Sequence, residues 1–262
     1  MEFLDKIVKY KQKIVSENIN KLKDIKKEVS SKNTKKENLF LDNLQKAGLS
    51  VIAEVKVASP SEGNISNFSV EKLSEIYEKG KADCVSVLTE DRYFKGSKKN
   101  LTRVKKIYSG PVLMKDFIIS QYQIYQAAYL GADAILLIKA ILGRDKLLEF
   151  TKLASQLGMY SLVELHYSDE LSKLSQLLGD SSIKIIGVNS RNLNTLKINL
   201  KNHKQMIRKL PVDKIKIAES GIKTLTQARL VHQAGYDGVL VGKGLIKRSN
   251  PLLFIRMIKE IW

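Results

Sequence analysis

The chain has few of the residues that define several common classes of protein. Its 262 residues include one cysteine, three histidines, four prolines and one tryptophan. With Cys84 as the single cysteine, an internal disulfide is excluded. The three histidines have no metal-ligand spacing, so no metal site is predicted. Cys84 begins an apolar run and is interpreted as a small buried hydrophobe.

Long apolar segments are also missing. No apolar run approaches the roughly 20 residues that span a bilayer. The first residues, MEFLDKIVKYKQK, are charged throughout and do not resemble a signal peptide. We therefore expect a cytoplasmic protein with no membrane partner. Apolar residues still make up 44% of the chain, which favours a folded globular chain over disorder, and the length suits one large domain or two small ones.

Arginine is scarce although the net charge is +18. Lysine supplies 37 of the 45 basic residues, and the lysines are spread along the chain. Base readout and bidentate phosphate contacts favour arginine, so a solvated surface is favoured over a nucleic-acid partner. A positive field also attracts small anionic substrates. A nucleic-acid-binding protein on a barrel scaffold is the alternative, and salt-dependent duplex binding would support it.

Eight short apolar runs, rich in β-branched residues, alternate with segments of helical periodicity. They span 51–56, 84–89, 112–115, 134–138, 160–164, 183–189, 215–219 and 238–242. Residues 144–157 and 224–234 each place apolar side chains on one helical face, and glycines follow both segments. This alternation predicts a parallel sheet, and eight units predict a closed (β/α)8 TIM barrel. A doubly wound open sheet is the alternative, but the first turn reads ASPSEGN and has no GxGxxG.

Residues 1–262 are predicted to form a single barrel domain, with residues 1–50 as a helical N-terminal extension. The apolar spacing up to residue 19 suits one or two amphipathic helices. Residues 30–37 are interpreted as an exposed linker, and residues 38–48 as another short helix. We expect the extension to pack on the barrel and to cover one end. The sequence does not determine the oligomeric state, and a monomer is favoured.

Polar residues stand at the predicted C-terminal end of every strand. They are Glu54 and Lys56, residues 89–91, residues 115–117, Lys139, Glu164, residues 189–192, residues 219–221 and residues 242–244. These ends meet at one mouth of a barrel, and alternating Lys and Glu there predict acid–base pairs. The loops at Gly221 and Gly242 follow the last two strands, where such barrels commonly bind phosphate; ordinary tight turns are the alternative.

Several of these motifs resemble one enzyme family, the indole-3-glycerol-phosphate synthases. The segments are IAEVKVASPS, SVLTE, YFKGS, LMKDFIISQYQIYQA, GADAILLI, LVELH, GVNSRNL, IAESGI and VGKGL. The resemblance covers essentially the whole chain. It implies conversion of 1-(2-carboxyphenylamino)-1-deoxyribulose 5-phosphate to indole-3-glycerol phosphate, with loss of carbon dioxide and water. This is the reaction of a carboxy-lyase in tryptophan biosynthesis, and no cofactor is implied.

The resemblance also implies roles for individual residues. Lys115 is the candidate general acid at the ketone oxygen, and Glu164 is the candidate base of the dehydration. Lys56 would contact the substrate carboxylate, and how it divides the acid roles with Lys115 stays open. Glu54 and Asn189 would orient these groups. The other implied site residues are Ser59, Glu219 and Ser220 in the polar wall, Phe94, Phe117 and Leu136 around the aromatic ring, Gly221, Gly242 and Lys243 at the phosphate, and Arg191 as a bridge to carboxylates.

The chain departs from the family pattern at three positions, Glu62, Lys139 and Lys243. If Lys139 pointed into the pocket, it would compete with Lys115 for the acid role. Phosphoribosylanthranilate isomerase, another phosphate-binding barrel, is the alternative enzyme. It should use a Cys/Asp acid–base pair, and the position of Cys84 inside a predicted strand speaks against it.

Overall fold

The protein is described here by a computed structural model, which covers residues 2–31, 37–56, 58–59, 63–64, 68–166 and 175–262. Its strands are β1 Ser50–Val55, β2 Ala58–Ser59, β3 Gly63–Asn64, β4 Cys84–Leu88, β5 Val112–Lys115, β6 Ala134–Ile138, β7 Tyr160–Leu165, β8 Ile185–Asn189, β9 Ile215–Glu219 and β10 Gly238–Val241. Eight of them close a parallel barrel in the order β1-β10-β9-β8-β7-β6-β5-β4, while β2 and β3 pair antiparallel. The predicted (β/α)8 TIM barrel is confirmed, and the open sheet is excluded.

Helices connect the barrel strands and precede the first one. They are α1 Phe3–Asn18, α2 Leu22–Ser31, α3 Phe40–Leu44, α4 Val70–Lys79, α5 Lys98–Lys105, α6 Gln121–Tyr129, α7 Arg144–Gln156, α8 Ser175–Leu178, α9 Lys201–Ile207, α10 Leu225–Ala234, α11 Lys243–Ile246 and α12 Pro251–Lys259. Gly235 ends α10 in the left-handed conformation at φ 105°, as its position predicted. Across the described ranges, no helix is long and apolar enough to cross a membrane.

The barrel interior follows from the two-residue alternation of side chains along a strand. Apolar side chains from each of the eight barrel strands fill the interior: Ile52, Cys84, Leu113, Ala134, Leu136, Ile138, Leu162, Ile185, Ile217 and Leu240. The alternate side chains, such as Val51 and Val85, pack against the surrounding helices in a second apolar cluster. A residue two positions after an inward apolar residue also faces inward, toward the mouth.

Three aspartates stabilise the opposite, N-terminal end of the barrel. Asp83, Asp133 and Asp237 each directly precede a strand and accept a hydrogen bond from the backbone of a neighbouring strand. The donors are the N–H groups of Val51, Val112 and Lys216, at 2.9, 2.8 and 2.7 Å. These bonds satisfy backbone donors at the end of the sheet where the chain enters it.

The N-terminal extension contacts both ends of the barrel, whereas the sequence predicted cover for one. Phe40 and Leu44 of α3 belong to the interior apolar cluster, and the Phe40 carbonyl accepts from the Cys84 thiol at 3.8 Å. At the mouth, Lys11 of α1 reaches the strand exit at Asp116. The predicted linker start at residue 30 is wrong, because α2 continues through Ser31; residues 32–36 lie outside the described ranges.

The contact between α1 and the barrel mouth is a buried ion pair. Nζ of Lys11 lies 2.6 Å from Oδ1 of Asp116, and both side chains are at most 5% exposed. Asp116 also accepts hydrogen bonds from Oγ1 of Thr89 at 2.7 Å and from the N–H of Phe117 at 2.8 Å. The carboxylate therefore joins the extension to two adjacent strand ends.

Replacing Lys11 with Met should destabilise the fold by about 3 kcal/mol, because Asp116 would be left as a buried charge without its cation. The free energy of unfolding from urea titration measures this change. Lys9→Met, at an exposed position of the same helix, is the matched control and should change that energy by less than about 0.5 kcal/mol. Equal effects of the two substitutions would contradict the assigned role of the ion pair.

Candidate active site

A cavity of about 330 Å³ opens at the C-terminal ends of the strands, where the sequence predicted the site. Most of the predicted site residues line it: Glu54, Lys56, Phe94, Lys115, Phe117, Leu136, Glu164, Asn189, Arg191, Ser220, Gly221, Gly242 and Lys243. Glu219 does not line the cavity but lies behind it, in contact with Lys115. The side chain of Ser59, like all of Glu62, lies outside what the structure describes.

Lys115 is the cation at the centre of the site. Its Nζ lies 3.1 Å from Oε2 of Glu219 and 3.9 Å from Oε2 of Glu164. Burial by itself would lower the pKa of Lys115, but the neighbouring acidic groups of Glu219, Glu164 and Glu54 outweigh burial and raise that pKa. Lys115 is therefore held in its protonated form.

Glu164 and Glu219 are driven to opposite protonation states. Burial acts to raise the pKa of both carboxyl groups. In Glu164, His166 and Lys115 outweigh burial and lower the pKa, and Nδ2 of Asn189 donates to Oε2 at 3.1 Å. In Glu219, burial and the negative charge of Glu164 outweigh Lys115, so the pKa is raised. Because two adjacent buried carboxylates resist double ionisation, one proton stays on Glu219 while Glu164 is free to accept one.

A second ion pair faces the first from strand β1. Nζ of Lys56 lies 2.7 Å from Oε2 of Glu54. Burial acts to raise the pKa of Glu54, but Lys56 and Lys115 outweigh it and lower that pKa. Gly242 makes room for this carboxylate, because a Cβ built at Gly242 would overlap Oε2 of Glu54. Lys56 is thus held in place with its ammonium group on the cavity.

Gly187 makes the corresponding room for Glu219. It lies in the middle of strand β8, where glycine weakens a strand unless another group approaches closely. A Cβ built there would overlap Oε1 of Glu219. Gly187 was not among the predicted site residues, although a lone glycine inside an apolar strand was the available signal.

The apolar wall of the cavity is formed by aromatic and leucine side chains. The rings of Phe94 and Phe117 lie with centroids 6.0 Å apart, and Leu136 lines the same cavity. Glu90 fixes the loop that carries Phe94: its buried carboxylate accepts three backbone hydrogen bonds, from residues 92, 93 and 94, at 2.8–3.0 Å. The loop geometry places a flat apolar surface beside the charged groups.

The loop after strand β9 has an unusual backbone. Ser220 and Gly221 have consecutive positive φ angles of 65° and 85°. A Cβ at Gly221 would also overlap the side chain of Leu200, so this position requires glycine. The loop brings Lys223 to the cavity that Lys243 also lines, which adds a cation that sequence reasoning missed. The available signal was a lysine two residues after the predicted glycine loop.

Other lining residues were also missed, chiefly the apolar side chains of the loop after strand β8. They are Leu193, Leu196 and Ile198. Arg191 donates from Nη1 to the carbonyl of Leu196 at 2.9 Å, which folds this loop over the cavity wall. A loop's path depends on such contacts and not on a periodic pattern, so no sequence signal indicated it.

Lys139 and Cys84 both lie away from the cavity. Lys139 is not among the described residues that line the cavity, so it does not compete with Lys115. Cys84 lies at the first residue of strand β4, packed against α3 at the opposite end of the barrel. Burial raises the pKa of its thiol. The Cys/Asp arrangement of the alternative isomerase is therefore not formed by this residue.

The fold and the cavity define an enzyme of the (β/α)8 barrel class, with acid–base groups on the C-terminal ends of its strands. Residues 4–258 match the family model described as indole-3-glycerol phosphate synthase. The chain belongs to this family. The prediction of a carboxy-lyase that closes the indole ring in tryptophan biosynthesis is confirmed.

Similar proteins bear the same name. The indole-3-glycerol phosphate synthase of Caldanaerobacter subterraneus subsp. tengcongensis is 40% identical over 261 residues, 98% of each chain. Those of Alkaliphilus metalliredigens and Endomicrobium trichonymphae are 40% identical over 94% of each chain and 43% identical over 84% of each chain.

Solved structures support the fold alone. The 3-hexulose-6-phosphate synthase of Salmonella typhimurium superimposes with a TM-score of 0.65 at 13% identity, covering 81% of this chain and 97% of that one. Thiamine phosphate pyrophosphorylase from Pyrococcus furiosus gives a TM-score of 0.59 at 14% identity, covering 84% and 96%.

Gly187→Ala should destabilise the protein by about 1–3 kcal/mol, because the added methyl group must displace the buried Glu219 carboxylate. Differential scanning calorimetry measures the change as a lower melting temperature. Gly143→Ala is the matched control, since a Cβ at Gly143 meets no atom within 4 Å. If Gly187→Ala melted at the control's temperature, the close approach of Glu219 would be wrong.

Proposed function

We propose that the cavity at the barrel mouth is the active site of the indole-3-glycerol phosphate synthase reaction and that Lys115 and Glu164 are its acid and base. The observation that carries the assignment is their arrangement. The buried ammonium group of Lys115 lies between the carboxyl groups of Glu164 and Glu219, whose pKa values are shifted in opposite directions. These shifts leave Glu164 as the ionised carboxylate, which can act as the base, beside the protonated Lys115, which can act as the acid.

The protonation states suit the two chemical steps. Ring closure forms a bond between the carboxylate-bearing carbon of the aromatic ring and the ketone carbon of the substrate. Lys115 gives a proton to the ketone oxygen as that bond forms, and carbon dioxide leaves to restore the aromatic ring. The raised pKa of Lys115 ensures that the proton is present at the start.

Dehydration then removes the new hydroxyl group as water. Glu164 accepts the proton from the carbon next to the one that loses the hydroxyl, and an ammonium group supplies a proton to the leaving oxygen. Lys56 lies on the opposite strand, held 2.7 Å from Glu54, and is placed for the second role. The acid and the base thus act from different strands on adjacent substrate atoms.

The shape and charge of the cavity support the remaining binding roles. Phe94, Phe117 and Leu136 would hold the aromatic ring, with the substrate carboxylate toward Lys56. The phosphate would lie at the other side, on the backbone of Gly221 and Gly242 with the side chains of Lys223 and Lys243. Fixing both ends of the substrate brings its reacting carbons together.

Three finer expectations belong to the same proposal. The substrate is a small phosphorylated anion, the protein acts in the cytoplasm, and it acts as a monomer. Each has a direct test: inhibition by inorganic phosphate, the location of a tagged chain in cells, and the mass by light scattering.

Turnover is measured by the fluorescence of the indole product after addition of 1-(2-carboxyphenylamino)-1-deoxyribulose 5-phosphate. Lys115→Met and Glu164→Gln should each lower kcat by about two orders of magnitude or more, because each removes a proton-transferring group. Lys139→Met, another strand-end lysine, is the matched control and should keep full activity. Turnover that survives Lys115→Met would assign the first acid role to Lys56.

The pH profile follows from the directions of the shifts. Protonation of Glu164 removes the base, so kcat/KM falls as pH decreases; the lowered pKa puts this fall below the usual glutamate value of about 4.3. Deprotonation of Lys115 removes the acid, so kcat/KM falls as pH rises above the usual lysine value of about 10.4. A stopped-flow profile corrected for the substrate's own phosphate ionisation measures both limbs. An acid limb that stays unchanged in Glu164→Gln would contradict the assignment.

A further inference from the structure

His166 is a buried titratable group that the mechanism above does not use. It directly follows strand β7 and is 2% exposed. Its Nε2 lies 3.1 Å from Oε1 of Glu164. The other oxygen of the same carboxylate, Oε2, faces Asn189 and Lys115 at 3.1 and 3.9 Å. The histidine therefore contacts one oxygen of the carboxylate, whereas Asn189 and Lys115 face the other.

The backbone of His166 is held by a side chain from helix α9. Nδ2 of Asn202 donates to the His166 carbonyl at 2.7 Å and lies 3.4 Å from the carbonyl of Asn189. One amide thus holds the backbone of both residues that flank the Glu164 carboxylate. This fixes the ends of strands β7 and β8 relative to each other.

We propose that His166 is a positioning residue for Glu164, donating from Nε2 to Oε1 and so directing Oε2 toward the substrate. The inference rests on the proposed role of Glu164 as the base. The donor stops rotation of the carboxylate, and it stabilises the ionised form that a base needs. In keeping with this, burial raises the pKa of Glu164, and His166 is the largest influence that lowers that pKa.

Two substitutions separate donation from mere filling of space. His166→Leu keeps most of the volume and removes the donor, whereas the amide nitrogen of His166→Gln reaches about the position of Nε2. We expect His166→Leu to lower kcat by roughly tenfold to hundredfold with little change in KM, since a misplaced base slows proton transfer and leaves binding intact. His166→Gln should recover kcat to within a few-fold of wild type. His232→Leu, on the half-buried face of α10, is the matched control.

A second measurement does not depend on activity. The chain has three histidines, so long-range ¹⁵N–¹H NMR correlations of the wild-type imidazoles can be assigned by the loss of one set in His166→Gln. We expect Nε2 of His166 to carry a proton. An unprotonated Nε2 would overturn the inference, whatever the kinetics show, and this readout stands even if His166→Leu does not fold.

The outcomes distinguish this inference from the proposed function. If wild type turns over and both His166 variants match its kcat, His166 does not position the base and the inference is wrong. Equal losses in His166→Leu and His166→Gln would overturn the donor role as well. If folded wild type does not turn over, the proposed function fails, and the NMR result alone then decides whether Nε2 carries the proton that donation to Oε1 requires.

Discussion

The two-residue alternation of side chains inside a closed barrel is the constraint on which the site depends. Once Leu113 faces the interior, Lys115 must face it too, and the same holds for Leu162 with Glu164 and for Ile217 with Glu219. The apolar residues fill the barrel, and the charged residues that follow them share its mouth. The charged groups therefore meet at short range, because the apolar side chains determine which face of each strand points into the barrel.

This constraint also explains which features were predictable. The strands and the inward charged residues could be read from the sequence, because each depends on a local pattern of apolar residues and a polar strand end. The pairing of one charged residue with another could not be read from the sequence. Lys115 and Glu219 are 104 residues apart, and no local pattern says which carboxylate approaches which lysine. Lys11 and Lys223 were missed for the same reason: a lysine on a helix or in a loop has no periodic signal that distinguishes it from a solvated one.

Assembling the site lowers the free energy of unfolding, and contacts elsewhere in the barrel must offset this loss. Buried carboxylates lose their hydration, and a glycine at position 187 gives up side-chain packing to accommodate one of them. The N-terminal end is built differently, with three aspartates bonded to strand backbones and an apolar plug from α3. The barrel thus separates its stabilising contacts from its chemistry by the length of a strand, which lets the mouth hold charges that would not be tolerated in an ordinary core.

The extension that spans both ends has a consequence for synthesis on the ribosome. The N–H of Leu4 bonds to Asn194, a partner 190 residues later, and β1 pairs in the finished barrel with β10. At roughly 5–20 residues per second, the first helix waits on the order of 10–40 s for that partner to be translated. During this time a basic amphipathic segment is tethered to an unfinished sheet with two open edges. The bond between Leu4 and Asn194 can therefore form only after most of the barrel has been translated, whereas the Lys11–Asp116 pair can form much sooner.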